Sequence, residues 1–261
     1  MDSEQRREAA QLLRRAEIDR QPIGRLTDKW PEMDVVDAYE IQLINIRQRV
    51  EEGALLKGHK VGLSSRAMQR MMGVDEPDYG HLLHDMFIYE GETVDTSRYC
   101  YPRVEVEVGF VLRERLEGPG CTAADVLRAT DFVVPCIELI DSRIRDWSIT
   151  LPDTIADNAS SAGVILGANP TRLEDVDVRV LGVILSKNGE IVETGVSGAV
   201  LGNPVTAVAW LANKVHGFGV TLEAGHVVLP GSCTRAIDVG PGDFIHAETE
   251  ALGSVSVTFG H

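Results

Sequence analysis

Two glutamates separated by one residue lie in a stretch typical of a β-strand. Glu105 and Glu107 alternate with valines at positions 104, 106 and 108, and β-branched residues favour strands. Because successive strand side chains point to opposite faces, both carboxylates are predicted to share one face. Carboxylates held together raise each other's pKa unless a proton or a cation lies between them. The same alternation is also typical of the solvent face of a half-buried strand, so the spacing alone leaves both interpretations open.

A third acid, Glu138, interrupts a second apolar stretch that covers residues 135–140. Acids that are accompanied by no dedicated Cys or His favour a hard cation. An incomplete shell of oxygen ligands suits Mg²⁺ or Mn²⁺, with water or substrate oxygens in the remaining positions. We therefore hypothesise a divalent metal site formed by the three glutamates.

Two further charged residues could take part in acid–base chemistry. Lys60 stands near the end of a predicted strand over residues 55–63, either as a surface residue with a buried stem or as a desolvated amine. Asp78 lies in turn-forming sequence, where its carboxylate could simply bond the local backbone. His59 is interpreted as structural. A polar run at 153–161 is interpreted as a loop, which could bind a ligand or only form turns.

The elements that must position these residues are predicted to be helices early in the chain and strands late. Residues 4–19 have the periodicity of an amphipathic helix, and a second helix begins at Asp34 and stops at Gly53. Asn188 and Gly189 predict a hairpin, and Pro204 begins a helix that ends at Gly217. Residues 1–54 are predicted to form a helical cap within the same domain as a β-rich catalytic part, 55–261. Shorter predictions are a helix after Ser64, with its methionines as core filler, and strands near the end of the chain.

Composition excludes several classes of function. Lys and Arg total 25 against 40 Asp and Glu, which gives a net charge of −15 and disfavours binding to nucleic acid or to anionic membranes. The cysteines show no zinc or CxxC spacing, and no apolar run reaches the ~20 residues of a membrane span. The sequence also lacks a P-loop, a GxSxG elbow and a GxGxxG fingerprint. A cytoplasmic location is predicted.

Six motifs occur in a fixed order along the chain: Lys60-Val-Gly-Leu-Ser, Glu76-Pro-Asp-Tyr-Gly, Arg103-Val-Glu-Val-Glu, Ile137-Glu-Leu-Ile-Asp-Ser-Arg-Ile, Ala156-Asp-Asn-Ala-Ser-Ser and Val200-Leu-Gly-Asn-Pro. From about residue 20 to its end, the chain resembles the 2-hydroxypenta-2,4-dienoate hydratases of the fumarylacetoacetate hydrolase superfamily. The resemblance implies a mixed β-sheet closed into a barrel-like roll with helices packed outside. The implied fold class is thus a β-rich α+β fold.

The resemblance also assigns roles to residues of this sequence. It places metal ligands at Glu105, Glu107 and Glu138, an active-site lysine at Lys60 and a nearby acid at Asp78. Segments that line the substrate's carboxylate in similar proteins fall on these residues: Ser160, Ser161, Gly231 and Ser232. The implied cofactor is Mg²⁺ or Mn²⁺.

The implied reaction is addition of water to 2-hydroxypenta-2,4-dienoate, or to a substituted analogue, during meta-cleavage catabolism of aromatic or steroid rings. The product is a 4-hydroxy-2-oxo acid, and the resemblance implies a homo-oligomer that associates with a downstream aldolase. One alternative is 4-oxalocrotonate decarboxylase, which shares the glutamates and the lysine. The loop at 145–154 resembles the hydratase version. A second alternative is a non-catalytic scaffold or partner subunit of a pathway enzyme.

Overall fold

The computed structural model describes residues 1–261, except the side chains of Met68, Met71 and Met72. The prediction that these methionines fill the core therefore lies outside the described residues. The helices are α1 Ser3–Asp19, α2 Leu26–Lys29, α3 Val35–Glu51, α4 Arg66–Met72, α5 Ala123–Ala129, α6 Leu151–Ala156 and α7 Pro204–His216. Within the described part of the chain, no helix combines the length and apolarity needed to cross a membrane.

The strands follow the chain in this order: β1 Leu56–Gly62, β2 Asp78–Leu83, β3 Phe87–Ile88, β4 Thr93–Asp95, β5 Arg103–Leu112, β6 Thr130–Ile140, β7 Ser161–Leu166, β8 Gly182–Lys187, β9 Glu190–Val196, β10 Val227–Leu229, β11 Ile237–Asp238, β12 Phe244–Thr249 and β13 Gly253–Gly260. The larger sheet runs β2-β1-β10-β5-β6-β7-β3, with β11 also paired to β5. It is mixed, because β1 and β10 pair in parallel whereas β5 and β6 are antiparallel.

The larger sheet curls into a half-barrel, and the segment before β7 joins its two sides. The side chain of Asn158 accepts a hydrogen bond from the amide of His81 on β2 over 2.8 Å and donates to the His81 carbonyl over 2.9 Å. An asparagine side chain thereby takes the place of a neighbouring strand at the free edge of β2. The predicted β-rich α+β fold with a rolled mixed sheet is confirmed.

Helices cover the outside of the half-barrel. Asp34 caps α3 by accepting a hydrogen bond from the amide of Asp37, as its sequence position predicts. Gln42 of α3 then donates to the carbonyls of Tyr79 on β2 and Ile155 on α6 over 3.0 and 2.7 Å. These bonds fix α3 against the strand and the helix that carry candidate site residues. The domain division at residue 54 stays a prediction.

The smaller sheet runs β4-β13-β12-β8-β9. Its β8 and β9 are antiparallel and flank Asn188 and Gly189, so the predicted hairpin is confirmed. Both turn residues have positive φ, 55° and 84°, which suits Asn-Gly in a tight hairpin turn.

Two local predictions were wrong. The turn predicted around Asp78 is the start of β2, and the loop predicted from Asp153 begins inside α6. In both places, contacts with residues distant in sequence outweigh the local preference for a turn. Asp78 pairs with Gly62 on β1, and the Asp153 carboxylate accepts from the amide of Thr27 over 3.1 Å.

Candidate active site

The three glutamates meet on the inner face of the half-barrel because of strand register. Glu105 lies directly opposite Glu138 across the β5–β6 pair, and Glu107 lies opposite Cys136. Residues directly opposite one another on antiparallel strands have Cβ atoms only about 5 Å apart. Each glutamate can offer one carboxylate oxygen such that all three oxygens lie within 4.8 Å of one another. The valines between the acids are buried on the other face, in the main core.

These carboxylates have fewer hydrogen-bond partners than buried charges normally have. Glu107 and Glu138 are 1% and 0% exposed, and Glu107 Oε1 and both Glu138 oxygens accept no hydrogen bond from the residues that the structure describes. Burial, followed by repulsion from Glu138, raises the pKa of Glu105 to about 7. The same two causes raise the pKa of Glu107 well above its usual range. Oxygen-only donors with unpaired lone pairs fit a hard divalent cation such as Mg²⁺ or Mn²⁺.

Apolar side chains lie beside the acids. Residues on the same face of the sheet form a buried cluster, whose members are Leu82, Cys136, Val164, Val227 and Leu229. Cys136 lies opposite Glu107, and Val164 lies opposite Glu138. Apolar neighbours lower the local dielectric, which strengthens charge interactions within the site.

Glu107 is held by a backbone amide. Gly231 N donates to Glu107 Oε2 over 2.8 Å, in a segment where Gly231 has φ of 130°. A side chain at Gly231 would collide with the hydroxyl of Ser64, and this backbone region is essentially restricted to glycine. Glycine is thus required here both by conformation and by the close approach of the chain.

Lys60 extends from β1 into the same space. Its Nζ lies 3.3 Å from Glu138 Oε1 and donates to the Ala159 carbonyl over 2.9 Å. Burial lowers the pKa of this amine, but the negative charges of Glu138, Asp78, Glu105 and Glu107 together outweigh burial and raise it. The amine is therefore a protonated, desolvated ammonium that is only 4% exposed, and the alternative of a surface lysine is wrong.

Asp78 lies beside Lys60, at the start of β2. It is 2% exposed and faces Gly62, where a Cβ would collide with Oδ1 of Asp78. Oδ1 accepts no hydrogen bond from the described residues. Burial raises the pKa of Asp78, and the charge of Lys60 opposes this rise. A carboxyl that has a raised pKa and a free oxygen suits proton transfer.

A chain of hydroxyls links Asp78 to the segment that follows α6. Thr154 Oγ1 donates to Asp78 Oδ2 over 3.5 Å, and it lies 3.5 Å from Ser160 Oγ. Both distances are at the limit for a hydrogen bond. Ser160 is therefore linked to Asp78 through Thr154, a residue to which no sequence pattern assigned a separate role.

The segment around Ser160 has an unusual backbone. Asn158, Ala159 and Ser160 all have positive φ, at 54°, 49° and 59°. Each non-glycine residue in this region costs roughly 1–2 kcal/mol, so the surrounding structure must hold the segment in place. The result is that the Ala159 carbonyl points at the ammonium of Lys60. We call residues 157–161 the carbonyl loop.

The remaining predicted substrate residues differ in their availability. Ser161 Oγ is buried, has no hydrogen-bond partner among the described residues, and lies close to Gly80, which is opposite Lys60. The hydroxyl of Ser232 instead donates to the carbonyl of Thr234 over 2.8 Å and accepts from the Thr234 amide. Ser232 thus stabilises the turn beside Glu107, and a role in substrate binding stays a prediction.

Comparison with known proteins places these features in a family. Residues 48–259 match the family model described as fumarylacetoacetate (FAA) hydrolase C-terminal. The chain is 45% identical over 256 residues to a 2-oxo-hept-4-ene-1,7-dioate hydratase of Escherichia coli, with 96% of each chain covered. It is 43% identical to a 2-keto-4-pentenoate hydratase of Paraburkholderia xenovorans (strain LB400), over 99% of this chain and 96% of that protein.

A solved structure shares the whole architecture. The 4-oxalocrotonate decarboxylase from Pseudomonas putida G7, complexed with magnesium and adipate, matches with a TM-score of 0.95 and 41% sequence identity. The match covers 99% of this chain and 98% of that chain. Hydratases and a decarboxylase are thus similar to this chain over nearly its full length.

Proposed function

Because this chain belongs to the fumarylacetoacetate hydrolase family, we propose that it is a hydro-lyase that adds water to 2-hydroxypenta-2,4-dienoate or a substituted analogue. The proposed cofactor is Mg²⁺ or Mn²⁺, with Glu105, Glu107 and Glu138 as its ligands. The observation that carries the proposal is the buried cluster of these acids beside Lys60 and Asp78. Such a cluster costs stability unless a cation neutralises it.

The proposed substrate class follows from what the relatives' names share. One similar hydratase is named for a 2-oxo-4-ene dicarboxylate and another for a 2-keto-4-ene monocarboxylate. The common part is a 2-oxo acid with a double bond at C4, in its enol form a 2-hydroxy-dienoate. We assign this common part to the metal side of the site, where a carboxylate and a 2-oxygen could complete an oxygen shell.

The reaction needs proton transfers at defined carbons. The 2-hydroxyl loses a proton and C5 gains one, which gives a 2-oxo-3-enoate. Water then adds across C3 and C4, with its oxygen on C4 and one of its protons on C3. Starting from 2-hydroxypenta-2,4-dienoate, the product is 4-hydroxy-2-oxopentanoate.

Residues of this chain supply the groups for these steps. Lys60 and Asp78 are the proposed acid–base pair, since both are buried and face the same space as the acids. Ser160, joined to Asp78 through Thr154, and Ser161 are proposed to contact the substrate's carboxylate side, and Gly231 fixes Glu107. When a divalent cation is bound, it supplies Lewis-acid stabilisation of the negative charge that develops on the substrate.

The direct test is the ultraviolet absorbance of freshly generated 2-hydroxypenta-2,4-dienoate in the presence of the protein. We expect the dienoate band to disappear with Mg²⁺ and to persist in EDTA, and NMR should identify 4-hydroxy-2-oxopentanoate as the product. If the dienoate band decays in the presence of Mg²⁺ no faster than in the uncatalysed control, the proposal is contradicted.

Decarboxylation is the second candidate, because the match to the decarboxylase from Pseudomonas putida G7 extends over the complete fold. Loss of CO₂ leaves an enolate, and its negative charge lies on the 2-oxygen, as it does in the dienolate of the hydratase reaction. The two activities are separated by offering 2-oxohex-3-enedioate and measuring CO₂. Release of CO₂ without hydration of the dienoate would favour the decarboxylase.

The product defines the next step. A 4-hydroxy-2-oxo acid is suited to cleavage by an aldolase, and we propose that such an enzyme consumes the product and associates with this protein. Assembly into a homo-oligomer and a cytoplasmic location also stay predictions. Size-exclusion chromatography with light scattering would determine the oligomeric state.

A further inference from the structure

A buried ion pair contacts the carbonyl loop. Arg143 and Asp157 are 6% and 3% exposed. Arg143 Nε donates to Asp157 Oδ1 over 2.5 Å, and the backbone amide of Arg143 donates to Oδ2 over 2.9 Å. Both carboxylate oxygens are thereby used, one by the guanidinium and one by the backbone, and the planar guanidinium places several donors in a fixed fork that lysine cannot reproduce.

The guanidinium also holds the backbone of the loop at both ends. Arg143 Nη2 donates to the Asp157 carbonyl over 2.6 Å, and Nη1 donates to the Ser161 carbonyl over 3.4 Å. Between these two carbonyls lie the three residues with positive φ, at 158–160. Arg143 therefore spans the strained part of the loop from its first residue to its last.

The position of Arg143 in the chain connects the loop to the acid cluster. Arg143 follows β6, the strand that carries Glu138, and the amide of Asp141 in the same connection donates to the Ser160 carbonyl over 2.9 Å. Lys60 Nζ lies between Glu138 Oε1 and the Ala159 carbonyl. The distance between those two oxygen atoms is thus determined by how the loop is fixed to the end of β6.

We propose that Arg143 and Asp157 are positioning residues for the acid–base lysine. They hold the carbonyl loop so that the Ala159 carbonyl fixes the ammonium of Lys60 beside Glu138. The proposal rests on the proposed function only for its catalytic readout, because the loop geometry can be measured without substrate.

The test uses Arg143→Lys, which keeps the charge but loses the fork, and Asp157→Asn, which loses the charge at similar volume. Arg6→Lys is the control, because the partly exposed Arg6 makes an ion pair with Asp37 at 2.6 Å between α1 and α3, away from the site. We expect kcat to fall about 10- to 100-fold in both loop variants, as for a misplaced catalytic group. The affinity for Mn²⁺ should be unchanged, because the three glutamates lie outside the loop, and Arg6→Lys should retain full kcat.

Two further measurements separate positioning from general stabilisation. Amide hydrogen exchange should accelerate in peptides that cover 78–83 and 157–161 in the loop variants, and only there. In a double-mutant cycle, Arg143→Lys should cause no further loss of kcat in a Lys60→Met background, because its effect passes through that lysine.

The possible outcomes are distinct. Wild-type kcat in both loop variants overturns the proposal, and so does a loss of Mn²⁺ affinity with faster exchange throughout the half-barrel, which would mean a purely structural role. Additive losses in the Lys60→Met background overturn it as well. If the wild-type protein fails to hydrate the dienoate, the proposed function fails, whereas the exchange data still decide whether the ion pair holds the loop.

Discussion

The ammonium of Lys60 lies 3.3 Å from Oε1 of Glu138, although the two residues belong to strands that are not neighbours in the sheet. Between β1 and β6 lie β10 and β5, so the ion pair crosses the hollow of the half-barrel. Both side chains are at least nine-tenths buried. The contact therefore joins the proposed acid–base side of the site to the proposed metal side, and disturbing either partner should affect the other.

Replacing Glu107 with Gln should abolish metal-dependent turnover and leave the fold intact. The amide oxygen of Gln can still accept the hydrogen bond that Gly231 N donates to Glu107 Oε2, but the charged ligand is lost. We expect the rate to fall by more than the roughly 10- to 100-fold that is typical of losing an outer-shell partner. Steady-state kinetics and circular dichroism measure the two effects.

The matched control is Glu248→Gln, because Glu248 is an exposed glutamate on β12 in the smaller sheet. It should retain wild-type turnover. Full activity in Glu107→Gln would remove Glu107 from the metal site.

Replacing Lys60 with Met should separate metal binding from catalysis. The three glutamates remain, so Mn²⁺ should still bind, whereas the loss of an acid–base group costs about 10²- to 10⁴-fold in rate. Without metal, the variant should also unfold more easily by about 3–5 kcal/mol, because Glu138 loses its buried cationic partner.

Electron paramagnetic resonance of Mn²⁺ and urea unfolding in EDTA would check these expectations for Lys60→Met. Lys187→Met is the control, since Lys187 on β8 makes a 2.8 Å ion pair with Asp243 that is partly exposed and includes none of the three glutamates, so its loss should cost little stability. If Lys60→Met turns over at the wild-type rate, Lys60 has no part in the mechanism.

Sequence alone could predict part of this site. The alternation of Glu105 and Glu107 with valines is visible in the sequence, and the structure places both acids on the inner face. Glu138 could be proposed as a third acid because it interrupts an apolar stretch, but its approach to the other two depends on the β5–β6 register, which no local pattern specifies. The polar composition of the carbonyl loop is visible in the sequence, but its backbone conformation could not be predicted, because positive φ at Ala159 and Ser160 arises from tertiary contacts rather than from residue type.

Binding of a divalent cation should stabilise the folded protein. A ligand that binds only the native state adds about 2.7 kcal/mol to the free energy of unfolding at a concentration of 100 Kd. We expect Mg²⁺ to raise the melting temperature and EDTA to reverse the rise, with no shift in Glu107→Gln. A wild-type protein that shows no shift at millimolar Mg²⁺ would contradict the metal site and favour a non-catalytic scaffold.

Acid should destabilise the protein through a group of buried histidines behind the site. The ring of His81 lies 4.9 Å from that of His59, which in turn lies 5.8 Å from His226. Burial, assisted by the charge of Arg47, lowers the pKa of His81 to about 4, although a hydrogen bond with Asn158 opposes this. Burial also lowers the pKa of His59 well below its usual range.

The sign of the pH effect follows from the direction of these shifts. As the pH falls below about 6.5, the unfolded chain gains protons that the folded protein cannot accept until about pH 4, so the free energy of unfolding falls throughout that window. Replacing His81 with Phe should reduce the loss of stability between pH 7 and pH 5 by about 2 kcal/mol. Urea unfolding at the two pH values measures this difference, and His246→Phe, at a partly exposed position on β12, should leave it unchanged. An equal pH dependence in wild type and His81→Phe would mean that His81 is already protonated in the folded protein or does not titrate differently on unfolding.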